Sequence, residues 1–445
     1  MNVHEINQCF IEGTFDQPHN FTKLFPKLQD LKNATVILDA DFGLTKLPRE
    51  PGLILIRGSR QLGKSTWMER ALFDTLKENG PGSAFFLNGD HLLDQDALFE
   101  AIQELVNLFP RRAKVKRIFI DEITAIKHWE KAIKRLADQG ITRDTLLITT
   151  GSQVIDLRRA TERLPGRKGK LDRTNYRFTP VSYSEFCAKT KTHFPDMEKR
   201  IWAYVLTGGS PIAINELIMR GHIPEYVIEL TRDWIFGETT LQGRQIETLK
   251  WILDCLFTLG GLPMSLHTVA EKAGIANNTV AQGYIGLLKD LGCLSSAIPL
   301  DANHLRPVPR KSSKYHFTNS LAVTALHSSQ IRTVAELMQL PGEEKGKRME
   351  WLVAQELWRR AAIAGEDTPE QQYFWRNDEH EIDFVVFENK KPRFIEVKSG
   401  KANASEFLWF TKVFPKHELE IICQSHFDSS FCESKSFESF LLETK

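Results

Sequence analysis

Leu53-Ile54-Leu55-Ile56-Arg57-Gly58-Ser59-Arg60-Gln61-Leu62-Gly63-Lys64-Ser65-Thr66 is the stretch that decides the fold. Its first half is a short run of branched apolar residues, the composition of a strand buried on both faces. Its second half reads G-x-x-x-x-G-K-S, and Thr66 to Lys77 continue with helical spacing. A strand, a glycine-bracketed loop and a helix in that order make a cradle for phosphate. The glycines let backbone N–H groups turn inward, and the helix N-terminus adds positive partial charge. In such a loop Gly58, Ser59, Arg60, Gln61, Leu62 and Gly63 wrap the phosphates, with Thr66 beside them. Lys64 reaches the β- and γ-phosphates and the Ser65 hydroxyl ligates Mg²⁺. A glycine turn that matches by chance is the competing reading, and the strand before and helix after weigh against it. ATP and Mg²⁺ are therefore the expected ligands.

Further along, Arg117-Ile118-Phe119-Ile120-Asp121-Glu122 is an apolar strand that ends in two carboxylates. Taken alone, an Asp-Glu pair after a strand is more often a helix cap and first-turn acid. After a phosphate loop it reads as hydrolytic: Asp121 holds Mg²⁺ through water and Glu122 polarises the attacking water. A third strand, Thr145 to Thr150, ends in Gly151-Ser152-Gln153. Thr150 and Ser152 are candidates to sense the γ-phosphate, although polar residues at strand ends are commonly turn formers. Arg158, Arg159, Arg163, Arg167, Lys168, Lys170, Arg173 and Arg177 form a basic run. Such a run is ordinarily a solvated face. It also suits a nucleic-acid strip, or an arginine finger for a neighbouring subunit, for which Arg167 is the candidate.

Strands alternate with helical stretches from Leu53 to about Ser182: SAFFLNG then Asp96 to Leu108, RIFID then Trp129 to Asp138, and TLLITTGS. That alternation predicts an α/β fold with a parallel sheet covered on both faces. The lead-in carries one short helix, Phe21 to Leu31. Beyond Ser184 the chain reads as mostly helical, with a break at Gly208-Gly209-Ser210-Pro211. From Gln245 to Asn319 the pattern is three helices and a strand pair. His267 to Ala273, a turn at Gly274 and Thr279 to Leu291, capped by Asn277 and Asn278, have helix-turn-helix spacing. The strands CLSSAIPL and KYHFT flank a loop with Arg306, Arg310, Lys311 and Lys314, which reads as a basic wing. A helix from Arg348 to Ala362 comes next, then the strands YFWR, EIDFVVF and RFIEVK. Four units are expected: an ATPase core with lead-in over 1–183, a helical lid over 184–243, a winged helix over 244–340 and a small α/β domain over 341–445.

The C-terminal unit holds a second constellation. Glu396 and Lys398 lie two apart on RFIEVK, so both side chains leave one face of that strand. A hairpin could bring Asp383, on EIDFVVF, beside Glu396. Glu350 shares its helix face with Val353, Ala354 and Leu357, an odd neighbourhood for a solvated acid. Such carboxylates with a lysine bind Mg²⁺ and activate water for phosphodiester hydrolysis. The bland alternative is a strand pair with charges on a solvated face.

Together the motifs RGSRQLGKST, FIDEITAIKHW, ITTGSQ, LPGRKGK, FTPVSYSEF and LTGGSP resemble the prokaryotic AAA+ family ATPases whose C-terminal domain of unknown function is related to PD-(D/E)XK nucleases. The resemblance runs from about Leu53 to Gly400. It implies an AAA+-like core, a winged helix and a nuclease-like end, with Asp383, Glu396 and Lys398 matching the D…(D/E)-X-K pattern and Glu350 as its helix acid. The chain departs from the family at Asn319, where an acidic residue usually stands after the wing.

The 445 residues carry a net charge of +1, which gives no general bias toward nucleic acid or membrane, so any DNA surface must be local. The six cysteines are scattered without a C-x-x-C pair, as expected in a reducing cytoplasm. The first residues lack the features of a signal peptide, and no apolar run reaches the roughly 18 residues of a membrane helix. Two readings stay open. One is an ATP-driven enzyme that acts on DNA through a metal-dependent nuclease domain. The other is a regulatory ATP switch that binds DNA or a protein partner, with an inert C-terminal fold. A homo-oligomer fits either.

Overall fold

The computed structural model describes residues 3–151, 169–308, 311–388 and 390–443. The chain divides into two units, Met1–Thr179 with Ala362–Gly365, and Pro180–Ala361 with Glu366–Lys445. Ser152 and Arg167, the flanking basic residues Arg158, Arg159, Arg163 and Lys168, and Arg310 lie outside the described residues.

The first unit is built on a parallel sheet. β1 (Gly52–Arg57), β2 (Ala84–Asn88), β3 (Arg117–Asp121), β4 (Leu146–Gly151) and β5 (Asn175–Arg177) stand in the order β2-β3-β4-β1-β5. Because helices cover the sheet, the strands are apolar on both sides: Leu53 to Ile56 and Ile118 to Ile120 are all buried. β4 lies between β1 and β3, with Ile148 opposite Ile54 and Phe119. That order brings the ends of the phosphate-loop strand and the acid strand to either side of Thr150. The fifth strand has no counterpart in the sequence pattern. It has three residues, only Tyr176 of them buried, and it lies at the end of a basic run.

The lead-in contains more structure than expected. Helices span Val3–Glu12, Pro18–Leu24 and Pro26–Leu31. The single helix predicted over Phe21 to Leu31 is broken at Phe25 (φ −129°, ψ 59°). Pro26 has no N–H and disfavours a helical conformation in the residue before it. Phe10, Phe15 and Phe25 join the core of the sheet. Asn7 bonds the open edge of β2: its Nδ2 donates to Phe86 O at 3.0 Å and its Oδ1 accepts from Phe86 N at 2.8 Å. A side chain thus does there what a neighbouring strand would do.

In the second unit the helices are Tyr183–Thr190, Met197–Thr207, Pro211–Arg220 and Glu225–Leu241, with the expected break at Gly208 and Gly209. Helices Ile246–Thr258, Leu266–Lys272 and Asn278–Asp290 come next. The last is capped by Asn277, whose Oδ1 accepts from Thr279 N at 2.7 Å. β6 (Leu294–Pro299) and β7 (Lys314–Phe317) pair antiparallel. Asn319 then caps helix Ser320–Leu326, accepting from Ala322 N at 3.1 Å. Asparagine and aspartate serve equally well as such a cap, so Asn319 costs the helix nothing.

The strand pair is not separate from the C-terminal strands. β8 (Gln371–Arg376) runs parallel to β6, giving the order β7-β6-β8-β9 with β9 at Glu381–Ile382. A second sheet runs β10-β11-β12-β13, from Phe384–Glu388, Lys391–Val397, Leu419–Ile422 and Cys432–Lys435. The helix Gly342–Ala364 begins earlier than its apolar pattern suggested. The chain passes from one sheet to the other at Asp383, between β9 and β10. All six cysteines are free, and no described helix is long and apolar enough to cross a membrane.

Candidate functional site

The phosphate loop leaves β1 at Gly58, turns at Arg60 and Gln61, and enters the helix Lys64–Asn79. Gln61 (φ 66°) and Gly63 (φ 99°) take left-handed backbone, which glycine adopts without a Cβ penalty. Gly58 is there for space: a Cβ would lie 2.7 Å from the carbonyl oxygen of Phe178, just past β5. Ser59, Leu62 and Lys64 are buried, Arg60 is exposed, and Thr66 lies half-buried in the first turn of the helix. Lys64 Nζ donates to the carbonyls of Gly58 and Ser59, 2.8 Å each, so the ammonium is held over the loop's own backbone.

Asp121 ends β3. Burial pushes its carboxyl above the usual carboxylate range, while hydrogen bonds from Thr150 and Ser65 and the charge of Lys64 pull the other way. Thr150 Oγ1 donates a hydrogen bond to Asp121 Oδ1 and accepts from the backbone N of Glu122 at 3.2 Å. Glu122 itself has left-handed backbone (φ 50°), and its carbonyl oxygen packs against Gly89 after β2. A Cβ on Gly89 would lie 2.3 Å from that oxygen. Four strand ends therefore meet: β1 through Ser65, β2 through Gly89, β3 through the two acids and β4 through Thr150. Hydroxyl and carboxylate oxygens in this arrangement suit a small hard cation such as Mg²⁺.

The C-terminal residues also meet. Register sets Phe384 opposite Ile395, so Asp383 falls opposite Glu396. Asp383 N donates to Glu396 Oε2 at 3.3 Å, and Asp383 Oδ2 accepts from Val397 N at 2.9 Å. Lys398 Nζ lies 2.7 Å from Glu396 Oε1. Glu350 joins them from the helix Gly342–Ala364, and these residues line one cavity of about 550 Å³. Burial and the neighbouring Asp383 raise the Glu396 carboxyl.

One residue is displaced from the surface where its basic neighbours placed it. Lys314 is not a solvated wing residue: its side chain is 1% exposed, and its Nζ lies 2.6 Å from Glu381, 2.8 Å from Asp383 and 3.0 Å from Glu350. β7 is buried on both faces, so a side chain on it points inward whichever way it turns. His316, two residues on, meets the same oxygen of Glu350 at 2.9 Å. Lys314, His316 and Glu381 are site residues that the sequence motifs did not reveal. Lys and His alternating with Tyr315 and Phe317 on KYHF was the available signal. Arg306 and Lys311 remain exposed.

A family model described as an AAA domain matches residues 50–187, the span of the loop, the acid strand and β4. The sheet order and the bonds among Ser65, Asp121 and Thr150 agree with it. Residues 50–187 form an AAA-type P-loop ATPase domain. A second family model, a domain of unknown function (DUF4143), matches residues 345–436, downstream of the AAA domain. The uncharacterized protein MJ1544 of Methanocaldococcus jannaschii is 23% identical over 417 residues, covering 88% of this chain and 84% of that one. Among solved structures, the Walker-type ATPase PABY2304 of Pyrococcus abyssi gives a TM-score of 0.42 at 14% identity, covering 69% of this chain and 97% of that one. The Aeropyrum pernix ORC1 protein, solved in complex with DNA, gives 0.32 at 16% identity, covering 70% and 93%.

Proposed function

We propose that this chain is a Mg²⁺-dependent ATP switch: its AAA domain binds and hydrolyses ATP, and nucleotide state governs a DNA-contacting module in the second unit. The observation that carries the first half is the insertion of β4 between β1 and β3, which sets Thr150 against both Asp121 and Glu122. Lys64 supplies countercharge to the β- and γ-phosphates, and Glu122 polarises the attacking water. Ser65 and Asp121 would hold Mg²⁺, which when bound neutralises charge on the phosphate oxygens. Thr150 fixes the position of both acids. Ser152 and Arg167 complete the proposed nucleotide contacts, Arg167 toward a neighbouring copy in a homo-oligomer.

The proposed organisation is a core over 1–183, a lid over 184–243, a winged helix over 244–340 and a nuclease-like α/β domain over 341–445. The helix Asn278–Asp290 presents exposed Asn278, Thr279 and Gln282 at its start, side chains able to reach base edges. With Arg306 and Lys311 they support duplex contact. A protein partner is the alternative occupant. A second reading, in which the C-terminal domain cuts DNA, is favoured by the meeting of Glu350, Asp383, Glu396 and Lys398 around one cavity.

The test compares Lys64→Ala with Glu122→Gln. Lys64→Ala should lose nucleotide binding and hydrolysis together, whereas Glu122→Gln should keep binding and stall hydrolysis. Normal turnover by Glu122→Gln would assign the water to another residue. Removing Arg306 and Lys311 should weaken duplex binding and flatten its salt dependence; unchanged anisotropy across a salt series would point to the protein partner.

A further inference from the structure

The resemblance to metal-dependent nucleases implies a divalent ion among Glu350, Asp383 and Glu396, and the residues present do not fit one. On the buried side of the cavity, three of the carboxylates turn to Lys314. Its ammonium has three N–H donors, and three carboxylate oxygens, from Glu350, Glu381 and Asp383, lie 2.6 to 3.0 Å away. The Phe374 ring closes a further side, with its centroid 5.9 Å from Nζ. Asp383 spends its other oxygen on Val397 N, and Glu350 shares its oxygen between Lys314 and His316. Glu396 is engaged by Lys398 and by the backbone of Asp383. Among the described residues, no group of three His, Cys, Asp or Glu side chains is placed to hold a metal ion together.

We propose that Lys314 is the built-in cation of this cluster, taking up the Glu350 and Asp383 oxygens that a divalent ion would need, which weighs against the second reading in which the C-terminal domain cuts DNA. The lysine is fixed from outside the cluster. β7 is laddered to β6, β6 is laddered to β8, and the residue before Lys314 bridges Met264. An ammonium held in this way cannot swing aside as a surface lysine does. Any ion entering would have to displace it against three charge-assisted hydrogen bonds. The inference stands independently of the ATPase reading, because all these residues lie in the second unit.

The test is Mn²⁺ uptake by chelator-stripped, nucleotide-free full-length protein, read as loss of the free Mn²⁺ paramagnetic resonance signal. Wild type and Asp383→Asn should give the same uptake. Lys314→Ala should gain about one Mn²⁺ per chain and a higher melting temperature in Mn²⁺, and adding Asp383→Asn should remove both. Wild-type uptake that Asp383→Asn abolishes would overturn the proposal, whether or not Lys314→Ala folds. So would a folded Lys314→Ala, with normal ATP turnover, that takes up no Mn²⁺.

Discussion

Thr150→Val isolates the role of β4. Thr150 is fully buried, and valine keeps its branched shape, so the substitution removes one hydroxyl with little change in packing. Two hydrogen bonds go with it: the one donated to the Asp121 carboxylate and the one accepted from Glu122 N at 3.2 Å. A hydrogen bond to a charged group contributes about 1.5–3 kcal/mol and a neutral one about 1 kcal/mol. If roughly half of that sum acts on the transition state, kcat falls about 8- to 30-fold. Lys64 and the loop are untouched, so KM for ATP should stay within about threefold of wild type. The pH profile supplies a second reading. Burial already raises the Asp121 carboxyl and Thr150 opposes that. Asp121 acts ionised, and hydrolysis is lost as pH falls through its pKa. In Thr150→Val that loss should begin at a higher pH. Steady-state ATP turnover from pH 5 to 9, with Thr150→Ser as the conservative control, checks both points. A kcat within about twofold of wild type, or equal loss in the serine and valine variants, would refute the reasoning.

Two further outcomes concern the same unit. Gly89→Ala places a Cβ 2.3 Å from the Glu122 carbonyl, so the backbone carrying Glu122 must shift; kcat should fall at least about tenfold with nucleotide affinity nearly unchanged, as measured by turnover and by titration of a fluorescent ATP analogue. Glu69, buried and accepting from Leu28 N at 3.0 Å, has its pKa raised by burial to about 7. A raised carboxyl loses stability as pH rises between its unfolded and folded pKa values, here between about 4.5 and about 7. Glu69→Gln should therefore melt within a degree or two of wild type at pH 5 and several degrees above it at pH 8, for a gain of at most about 3 kcal/mol. An equal gap at both pH values would mean that the charge is not the cause.

What was legible in the sequence is what local chemistry determines. The run from Leu53 to Ile56 identifies a doubly covered strand because no polar residue interrupts it. Gly58 to Ser65 identifies the loop because glycine, lysine and hydroxyl each answer a separate demand of a phosphate. What pairing alone determines was not legible. β5 is three residues long and becomes a strand only through β1, to which it is parallel. The pairing of β6 with β8 joins residues about seventy-five positions apart, and no local pattern announces it. The break at Phe25 was readable, since Pro26 stands in plain view.

The misplacement of Lys314 has a more instructive cause. Treating a lysine beside a turn as solvated is sound, because burying an ammonium costs several kcal/mol unless carboxylates come with it. The carboxylates that come with Lys314 stand at 350, 381 and 383, on a helix and a strand that its own segment says nothing about. The converse demand was visible. Glu350 had apolar neighbours on its helix face, and an acid in that position requires a cation. Reading the need for a cation as the need for a metal passed over the basic residues the chain itself could deliver. Lys314 and His316, two apart on a strand whose other face is Tyr315 and Phe317, are such a delivery: period-2 alternation commits both to one side, and burial of β7 leaves that side no solvent. A buried acid should be matched first against every lysine and histidine on a strand interior, and assigned to a metal only when none can reach it.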